Sequence, residues 1–439
     1  MADRPGTPGP AAAGSGRARV IEDRAFVHDP AMRHRTVEAM LTVHDADGQP
    51  LRDATVVVEQ RSHDFLFGCI GFDLVPLANG DAVPAERGAQ LAEQWLELFN
   101  AATLPFYWGD FEPVPGQPAT ERLLRAARWF ADRGCAVKGH PLCWHTVTAP
   151  WLLDLTTEQV LEAQRGRIRR EVADFRGVVD TWDVINEVVI MPVFDKEDNG
   201  ITRLCRDLGR IDLVRQVFDE ARGANPGATL LLNDFDLSSA YECLIEGCLE
   251  AGIRIDALGL QTHMHQGYWG EERTLEVVDR FARYGLPIHL TESTLLSGEL
   301  MPPEVEDLND HVVEQWPSTP EGEARQADEL VRHYRTLLSH PAVEAVTYWG
   351  ITDAGAWLGA PVGLVRADGT PKPSYDALRQ LVKDEWWVAP TSLTTDGDGR
   401  VPVTGWRGEY ELRVGAATAG FVLDPTGPDV RLALPHARG

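Results

Sequence analysis

Two glutamates, Glu187 and Glu292, each follow a short apolar run of the sequence. Polar and aromatic residues end the neighbouring runs, namely His140, Trp144, Asn186, Asn233, Gln261, His263 and Trp349. Retaining glycoside hydrolysis needs an ionised carboxylate that attacks the anomeric carbon and a protonated carboxyl that protonates the leaving oxygen, about 5 to 5.5 Å apart. Indole faces stack on sugar rings, and amide or imidazole groups bind hydroxyls. These residue types therefore indicate cleavage of a glycosidic bond.

The elements that would position these side chains repeat a short apolar strand followed by a helix. The predicted strands are Phe65–Ile70, Ala101–Trp108, Ala136–Trp144, Val179–Asn186, Thr229–Asn233, Ala257–Gln261, Pro287–Thr291 and Ala345–Gly350. Helical spacing of apolar residues predicts the helices Glu121–Arg133, Thr157–Phe175 and Gly322–Leu338. This alternation predicts an α/β fold, the (β/α)8 TIM barrel, in which catalytic groups lie at the carboxyl ends of the strands. Glu187 and Glu292, three strands apart, would then face each other across the barrel mouth.

Segments rich in β-strand pattern flank the barrel. Val37–Val43 and Ala54–Gln60 alternate apolar and polar residues around the turn Asp45–Gly48, which predicts a hairpin. Further short strands are predicted at Val401–Val403, Tyr410–Val414, Gly420–Leu423 and Val430–Leu434. Because a lone hairpin is barely stable in water, both ends are expected to form one small accessory β-sandwich. The predicted domains are a disordered tail at 1–25, the accessory module at 26–64 and 389–439, and the barrel at 65–388.

Composition limits the classes of partner. The chain of 439 residues has 41 Lys and Arg against 67 Asp and Glu, a net charge of −26. Such a surface repels nucleic acid and anionic membranes, so a neutral carbohydrate or glycoside is the expected partner. The six cysteines show no zinc-binding spacing, and we expect neither a metal nor another cofactor. Since residues 1–19 lack the pattern of a secretory signal, a cytoplasmic location is expected.

The ordered motifs resemble those of glycoside hydrolase family 10, whose members are chiefly endo-β-1,4-xylanases on a (β/α)8 barrel. The resemblance covers about residues 65 to 385. It rests on Gly139–His145, Trp182–Glu187, Asn233-Asp234, Gly259–His263, Thr291-Glu292, Trp349–Asp353 with Trp357, and Pro371–Leu378.

The resemblance implies a role for each matching residue. Glu187 matches the acid/base and Glu292 the nucleophile, while Asn186 matches the residue that bonds the sugar's 2-hydroxyl. His263 matches the imidazole that hydrogen-bonds the nucleophile. The remaining matches imply contacts with the sugar by His140, Trp144, Gln261, Trp349 and Trp357, and Asn233 and Tyr107 complete the predicted substrate-binding set.

Four positions depart from the family pattern. Family members usually have Asn and Lys where this chain has Leu104 and Tyr107, and Gln where it has Val147. The family's Asp two residues after the nucleophile, which orients the histidine, is replaced by Thr294. Because a site built to bond a hydroxyl discriminates strongly, these changes predict an altered preference for the glycone or a shortened cleft.

Three alternatives remain open at the level of sequence. His263 and His265 form a spacing that binds metal in some barrel hydrolases, although no further ligand set accompanies them. A small-molecule glycoside such as a saponin is a possible substrate instead of xylo-oligosaccharide. A catalytically silent glycan-binding protein is the third alternative, which the presence of both glutamates disfavours. The loop Tyr268-Trp269 and the insert Met191–Thr202 are predicted to line the substrate rim.

Overall fold

The computed structural model describes residues 29–81, 85–427 and 429–434. The predicted tail at 1–25 lies outside these residues. The chain divides into two units, Met1–Arg61 with Trp387–Gly439, and Ser62–Trp386. Within the described residues, none of the helices combines the length and apolarity needed to cross a membrane.

The strands, in chain order, are β1 (Thr36–His44), β2 (Thr55–Gln60), β3 (Leu66–Ile70), β4 (Ala101–Pro105), β5 (Ala136–His140), β6 (Thr181–Asn186), β7 (Thr229–Asp234), β8 (Ala257–Leu260), β9 (His263–Met264), β10 (Ile288–Leu295), β11 (Val343–Tyr348), β12 (Thr391–Thr394), β13 (Arg400–Trp406), β14 (Gly408–Val414), β15 (Ala417–Leu423) and β16 (Asp429–Ala433). The α-helices are α1 (Val75–Ala78), α2 (Ala85–Leu98), α3 (Trp108–Phe111), α4 (Thr120–Ala131), α5 (Thr157–Asp174), α6 (Gly200–Leu208), α7 (Arg210–Ala224), α8 (Ser239–Glu250), α9 (Glu271–Ala282), α10 (Pro320–Leu338) and α11 (Pro373–Arg379), the last continuing as a π-helix at Gln380–Glu385.

Eight parallel strands form a closed barrel in the order β3, β4, β5, β6, β7, β8, β10 and β11, and β11 pairs back onto β3. The fold-class prediction of a (β/α)8 barrel is thereby confirmed. Local sequence explains the helices around it. The capping box of Thr156 and Gln159 begins α5, and the Thr319 side chain caps α10 just before Pro320.

Two predicted barrel strands end three and four residues earlier than the sequence pattern indicated. The β4 strand ends at Pro105 and β5 ends at His140, directly before Pro141. Proline has no N–H to donate to a strand ladder, so the apolar run continues while the pairing stops. Tyr107 and Trp144 therefore lie in loops above the strand ends. In contrast, β10 runs on to Leu295, and Glu292 lies within it.

The other unit contains two sheets, one in the order β13, β1, β16 and one in the order β12, β2, β14, β15. The predicted hairpin of β1 and β2 is wrong, because the two strands belong to different sheets. The turn at Asp45–Gly48 does form, with the Asp45 carboxylate accepting from the N–H groups of Asp47 and Gln49. Buried and exposed residues alternate along β1 and β2, which gives each sheet one apolar face, as a two-sheet sandwich requires.

Candidate active site

Glu187 lies at the carboxyl end of β6 in a left-handed backbone conformation, with φ of 56°. A non-glycine residue pays about 1 to 3 kcal/mol for such a conformation, so surrounding structure must hold it. Its N–H donates to the Asn233 carbonyl of the next strand, at 2.9 Å. The Asp234 carboxylate then accepts from the N–H of Val189, at 3.0 Å. These two contacts hold the turn that follows β6.

The Glu187 carboxyl accepts three hydrogen bonds. Trp144 Nε1 donates to Oε2 at 2.7 Å, while Asn186 Nδ2 and Gln261 Nε2 each donate to Oε1 at 3.1 Å. Burial, together with the negative charge of Glu292, nevertheless raises the pKa of Glu187 to about 7. The carboxyl is thus mostly protonated below neutral pH, as a general acid must be.

Glu292 has the opposite electrostatic environment. His263 Nε2 lies 3.1 Å from Oε2, and Asn233 Nδ2 donates to Oε1 at 3.1 Å. Burial alone would raise the pKa of Glu292, but the charge of His140 and the hydrogen bond and charge of His263 outweigh burial and lower it below its ordinary value. Glu292 is therefore ionised where Glu187 is still protonated, which is the state a nucleophile requires.

A network of amides joins the two carboxyls. Asn186 Oδ1 accepts from Asn233 Nδ2 at 2.7 Å and from Gln261 Nε2 at 3.0 Å, and Thr291 Oγ1 donates to Asn233 Oδ1 at 2.7 Å. Asn233 is fully buried, with both amide atoms bonded to protein groups. Asn233 thus holds Glu292 against Asn186, and its contact with a substrate stays a prediction.

His140 is held from below by a buried ion pair that the sequence reasoning missed. Its Nδ1 lies 2.8 Å from Asp183 Oδ2, and Lys138 Nζ forms an ion pair with the same oxygen at 2.8 Å. Burial would raise the pKa of Asp183, but the charge of Lys138 and the bond from His140 lower it to about 2. The sequence does contain a signal for this ion pair. Lys138 and Asp183 are charged residues within apolar strands, and a buried charge needs a partner of opposite charge.

The predicted aromatic residues also reach the mouth. Trp349 is nearly buried and packs edge-to-face on His140, with ring centroids 5.2 Å apart. Trp357 is 37% exposed and lies 4.9 Å from the His263 ring, which leaves a surface open to a ligand. Tyr107 lies between His140 and Trp144, at centroid distances of 5.8 and 5.5 Å.

The loss of the family's aspartate has a visible consequence. Thr294 Oγ1 accepts from the Met264 N–H and lies 3.4 Å from His265 Nδ1, so it does not reach His263. The Nδ1 atom of His263 is buried and hydrogen-bonds to no described residue. Among the described residues, the contact with Glu292 is therefore the one side-chain hydrogen bond of the His263 ring, which also packs against Trp357.

The metal alternative has no structural support. Across residues 29–81, 85–427 and 429–434, no group of three or more His, Cys, Asp or Glu side chains is arranged to hold an ion. Burial lowers the pKa of His265 to about 3, so this ring is neutral, and it packs edge-to-face on Trp357 at 5.3 Å.

The two segments predicted to line the rim, Tyr268-Trp269 and Met191–Thr202, are held by contacts with other parts of the chain. Tyr268 packs edge-to-face on His333 of α10, and Trp269 lies under Arg273 of α9. These two aromatic side chains thus contact the outer helices. The insert after β6 contains a short helix at Met191–Val193, and its Lys196 forms ion pairs with Asp307 and Asp310 of the acidic segment after β10.

The arrangement as a whole can perform acid-assisted displacement at an anomeric carbon. A carboxyl whose pKa is raised and a carboxylate whose pKa is lowered are linked through Asn186 and Asn233, and each is held by donors on neighbouring strands. Indole and imidazole rings surround them.

Comparisons with known proteins agree with this chemistry. The model of "Glycosyl hydrolase family 10" matches residues 108–381. Endo-1,4-beta-xylanase B of Thermotoga neapolitana is 28% identical over 317 residues, which cover 67% of this chain and 85% of the relative. Anti-sigma-I factor RsgI6 of Acetivibrio thermocellus is 26% identical over 405 residues, which cover 89% of this chain but only 46% of that protein.

A solved structure described as GH10 from Paenibacillus barcinonensis superposes with a TM-score of 0.61 at 23% identity, covering 73% of this chain and 95% of that one. This likeness concerns the fold. Because the family model covers well over half of the sequence and the barrel carries its motifs in order, the chain belongs to glycosyl hydrolase family 10, a family of retaining glycoside hydrolases.

Proposed function

We propose that Glu292 is the nucleophile and Glu187 the acid/base of a retaining, xylanase-like enzyme that cleaves β-linked xylosyl bonds. One observation carries the assignment: within one hydrogen-bonded network, the pKa of Glu187 is raised to about 7 and that of Glu292 is lowered. Two titratable groups whose environments separate their pKa values identify the acid and the nucleophile.

In the first step, a Glu292 oxygen attacks the anomeric carbon while Glu187 protonates the departing oxygen. The bond between carbon and leaving group breaks, and an ester between the glycosyl unit and Glu292 forms. The bond from Asn233 and the contact with His263 keep Glu292 ionised and aimed before attack. Trp144, Asn186 and Gln261 hold the Glu187 carboxyl in place.

In the second step, Glu187 changes from general acid to general base. Formation of the ester removes the negative charge of Glu292, which is one of the two causes that raise the pKa of Glu187. The three donors that face Glu187 then favour its ionised form. Glu187 accordingly takes a proton from a water molecule, whose oxygen attacks the anomeric carbon. The ester bond to Glu292 breaks at the same time, Glu292 leaves as a carboxylate, and the original configuration is restored.

The similarity to endo-1,4-beta-xylanase B supports a xylosyl substrate. A net charge of −26 fits a neutral glycan, because such a surface would repel an acidic one. The opposed ionisation of the two glutamates also argues for an enzyme over a silent glycan-binding protein, which would need no proton donor in its pocket.

The test is a panel of aryl β-xyloside, β-xylobioside, β-glucoside and β-cellobioside beside xylan, with the first-formed anomer observed by NMR. We expect hydrolysis of a xylosyl substrate with initial release of the β-anomer. Glu292→Ala should abolish turnover, whereas Glu276→Ala, at an exposed position of α9, should not change it. An initial α-anomer, or full activity of Glu292→Ala, would overturn the mechanism. Cleavage of the glucosides alone would overturn the choice of sugar.

A further inference from the structure

One side of the barrel mouth is lined by a continuous set of rings, here named the aromatic wall and defined as Phe72, Tyr107, Trp144 and Trp349. Phe72 packs edge-to-face on Tyr107 at 5.9 Å and on Trp349 at 5.7 Å. Tyr107 continues the contact to Trp144 at 5.5 Å. The wall thus spans the rim above β11, β3, β4 and β5.

The contacts within the wall occupy ring surfaces that a sugar would need. The interplanar angle is 90° between Phe72 and Tyr107 and 75° between Phe72 and Trp349, so the edge of one ring meets the face of the next. A stacking platform for a second sugar requires a free ring face. Phe72 and Tyr107 therefore act as a barrier along this part of the rim.

Two side chains on the strands below the wall are not available to bind a second sugar. Leu104 is fully buried and offers no hydrogen-bonding side chain. Lys138, on the neighbouring strand β5, is buried in its ion pair with Asp183. The Tyr107 hydroxyl hydrogen-bonds to no described residue. Burial raises its pKa, and the nearby charges of Glu292 and Glu187 raise it further. This hydroxyl is consequently free to meet a substrate at the catalytic carboxyls.

The aromatic wall lies on the side of the barrel mouth toward which the glycone would extend. The leaving group must approach Glu187, at the end of β6, because that carboxyl protonates its oxygen. The glycosyl unit that reacts lies over Glu292, and any further units of the glycone extend away from Glu187. That direction leads toward β11, β3 and β4, where the wall lies.

We propose that Tyr107, with Phe72 behind it, is a specificity-determining residue that closes the glycone side after one sugar. The enzyme then removes single units from the non-reducing end of short β-xylosides, instead of cutting inside a chain. This inference rests on the proposed function, since it concerns the same site and the same bond.

An aryl β-xylobioside distinguishes the two modes in the wild-type enzyme. A pocket for one unit must remove the terminal xylose first, so aryl alcohol appears only after a lag, whereas aryl β-xyloside releases it at once. From xylohexaose, xylose and xylopentaose should be the first products. Immediate release of aryl alcohol with free xylobiose, or early xylotriose from xylohexaose, would overturn the proposal while leaving the proposed function intact. Hydrolysis of no aryl xyloside would instead refute the proposed function.

Variants then assign the effect to Tyr107. Tyr107→Ala should open the wall and raise direct release from aryl β-xylobioside, relative to aryl β-xyloside, by about tenfold or more. Tyr107→Phe keeps the ring, so the lag should remain, while loss of the hydroxyl lowers kcat/KM for aryl β-xyloside by about two- to tenfold. Tyr284→Phe, on the outer surface, is the matched control and should match the wild type. An unchanged lag in a Tyr107→Ala protein of normal melting temperature would contradict the role of Tyr107, and the wild-type products test the closure even if that variant does not fold.

Discussion

The pH dependence of glycoside cleavage should show an alkaline limb that belongs to Glu187. With a pKa of about 7, roughly 91% of Glu187 is protonated at pH 6, against about 3% for a carboxyl at the ordinary value of 4.5. The raised pKa therefore increases the protonated, active fraction of Glu187 at pH 6 about thirtyfold. Because kcat/KM reports groups of the free enzyme, it should fall above about pH 7 as Glu187 loses its proton.

The assay compares two aryl β-xylosides across pH 4 to 9. A substrate with a poor leaving group, such as a phenyl glycoside, depends on protonation and should show the limb in full. A dinitrophenyl glycoside has a leaving group that departs without a proton, so its kcat/KM should stay nearly level over the same range. At acidic pH both should decline only below the ordinary pKa of a glutamate, because that of Glu292 is lowered.

The substitution Trp144→Phe should move the alkaline limb of the pH profile to higher pH. The Trp144 indole donates to the Glu187 carboxyl at 2.7 Å and so favours the ionised form. A hydrogen bond to a charged group contributes about 1.5 to 3 kcal/mol, and 1.36 kcal/mol corresponds to one pKa unit. The alkaline limb should therefore move upward by about one unit or more. A limb of equal size for both leaving groups, or a limb that moves downward in Trp144→Phe, would refute this account of Glu187.

Two further predictions follow from the site. Glu187→Ala should lower kcat/KM for the phenyl glycoside by about 10² to 10⁴-fold while nearly sparing the dinitrophenyl glycoside, measured as initial rates at pH 6; equal losses on both would show that Glu187 is not the acid. Asp183→Asn removes the buried partner of Lys138 and His140 and should lower the free energy of unfolding by about 3 to 5 kcal/mol in denaturant titrations. Glu385→Gln, which loses an exposed ion pair with Arg335, is its control and should cost less than about 1 kcal/mol; a similar cost for both would mean that the buried pair is not specially stabilising.

Periodic patterns predicted much of the barrel. Apolar runs alternating with helical spacing located all eight strands, because each strand is buried on both faces and each helix on one. The ends of the strands were harder to predict from the sequence, because the apolar run of Ala101–Trp108 continues past Pro105, where strand pairing stops. The predicted hairpin of β1 and β2 was wrong for another reason. The turn at Asp45–Gly48 is local, but the choice of partner strand depends on β13 and β14, whose paired residues are 350 or more positions away in the chain.

The sequence by itself determined which functional groups are available and which apolar run each one follows. Glu187 and Glu292 each follow a different run, and the runs between or next to theirs end in His140, Gln261 and His263. Residue identity and local pattern suffice for that, because strand order in a barrel follows chain order. Only the tertiary structure decided what each group does. The pKa of a buried carboxyl depends on charges and donors from other strands, so His140 and His263 lower that of Glu292 while burial and Glu292 itself raise that of Glu187. The same holds for Asn233, which is turned inward as a support, and for Tyr107, whose ring meets Phe72 only when β3 and β4 lie side by side.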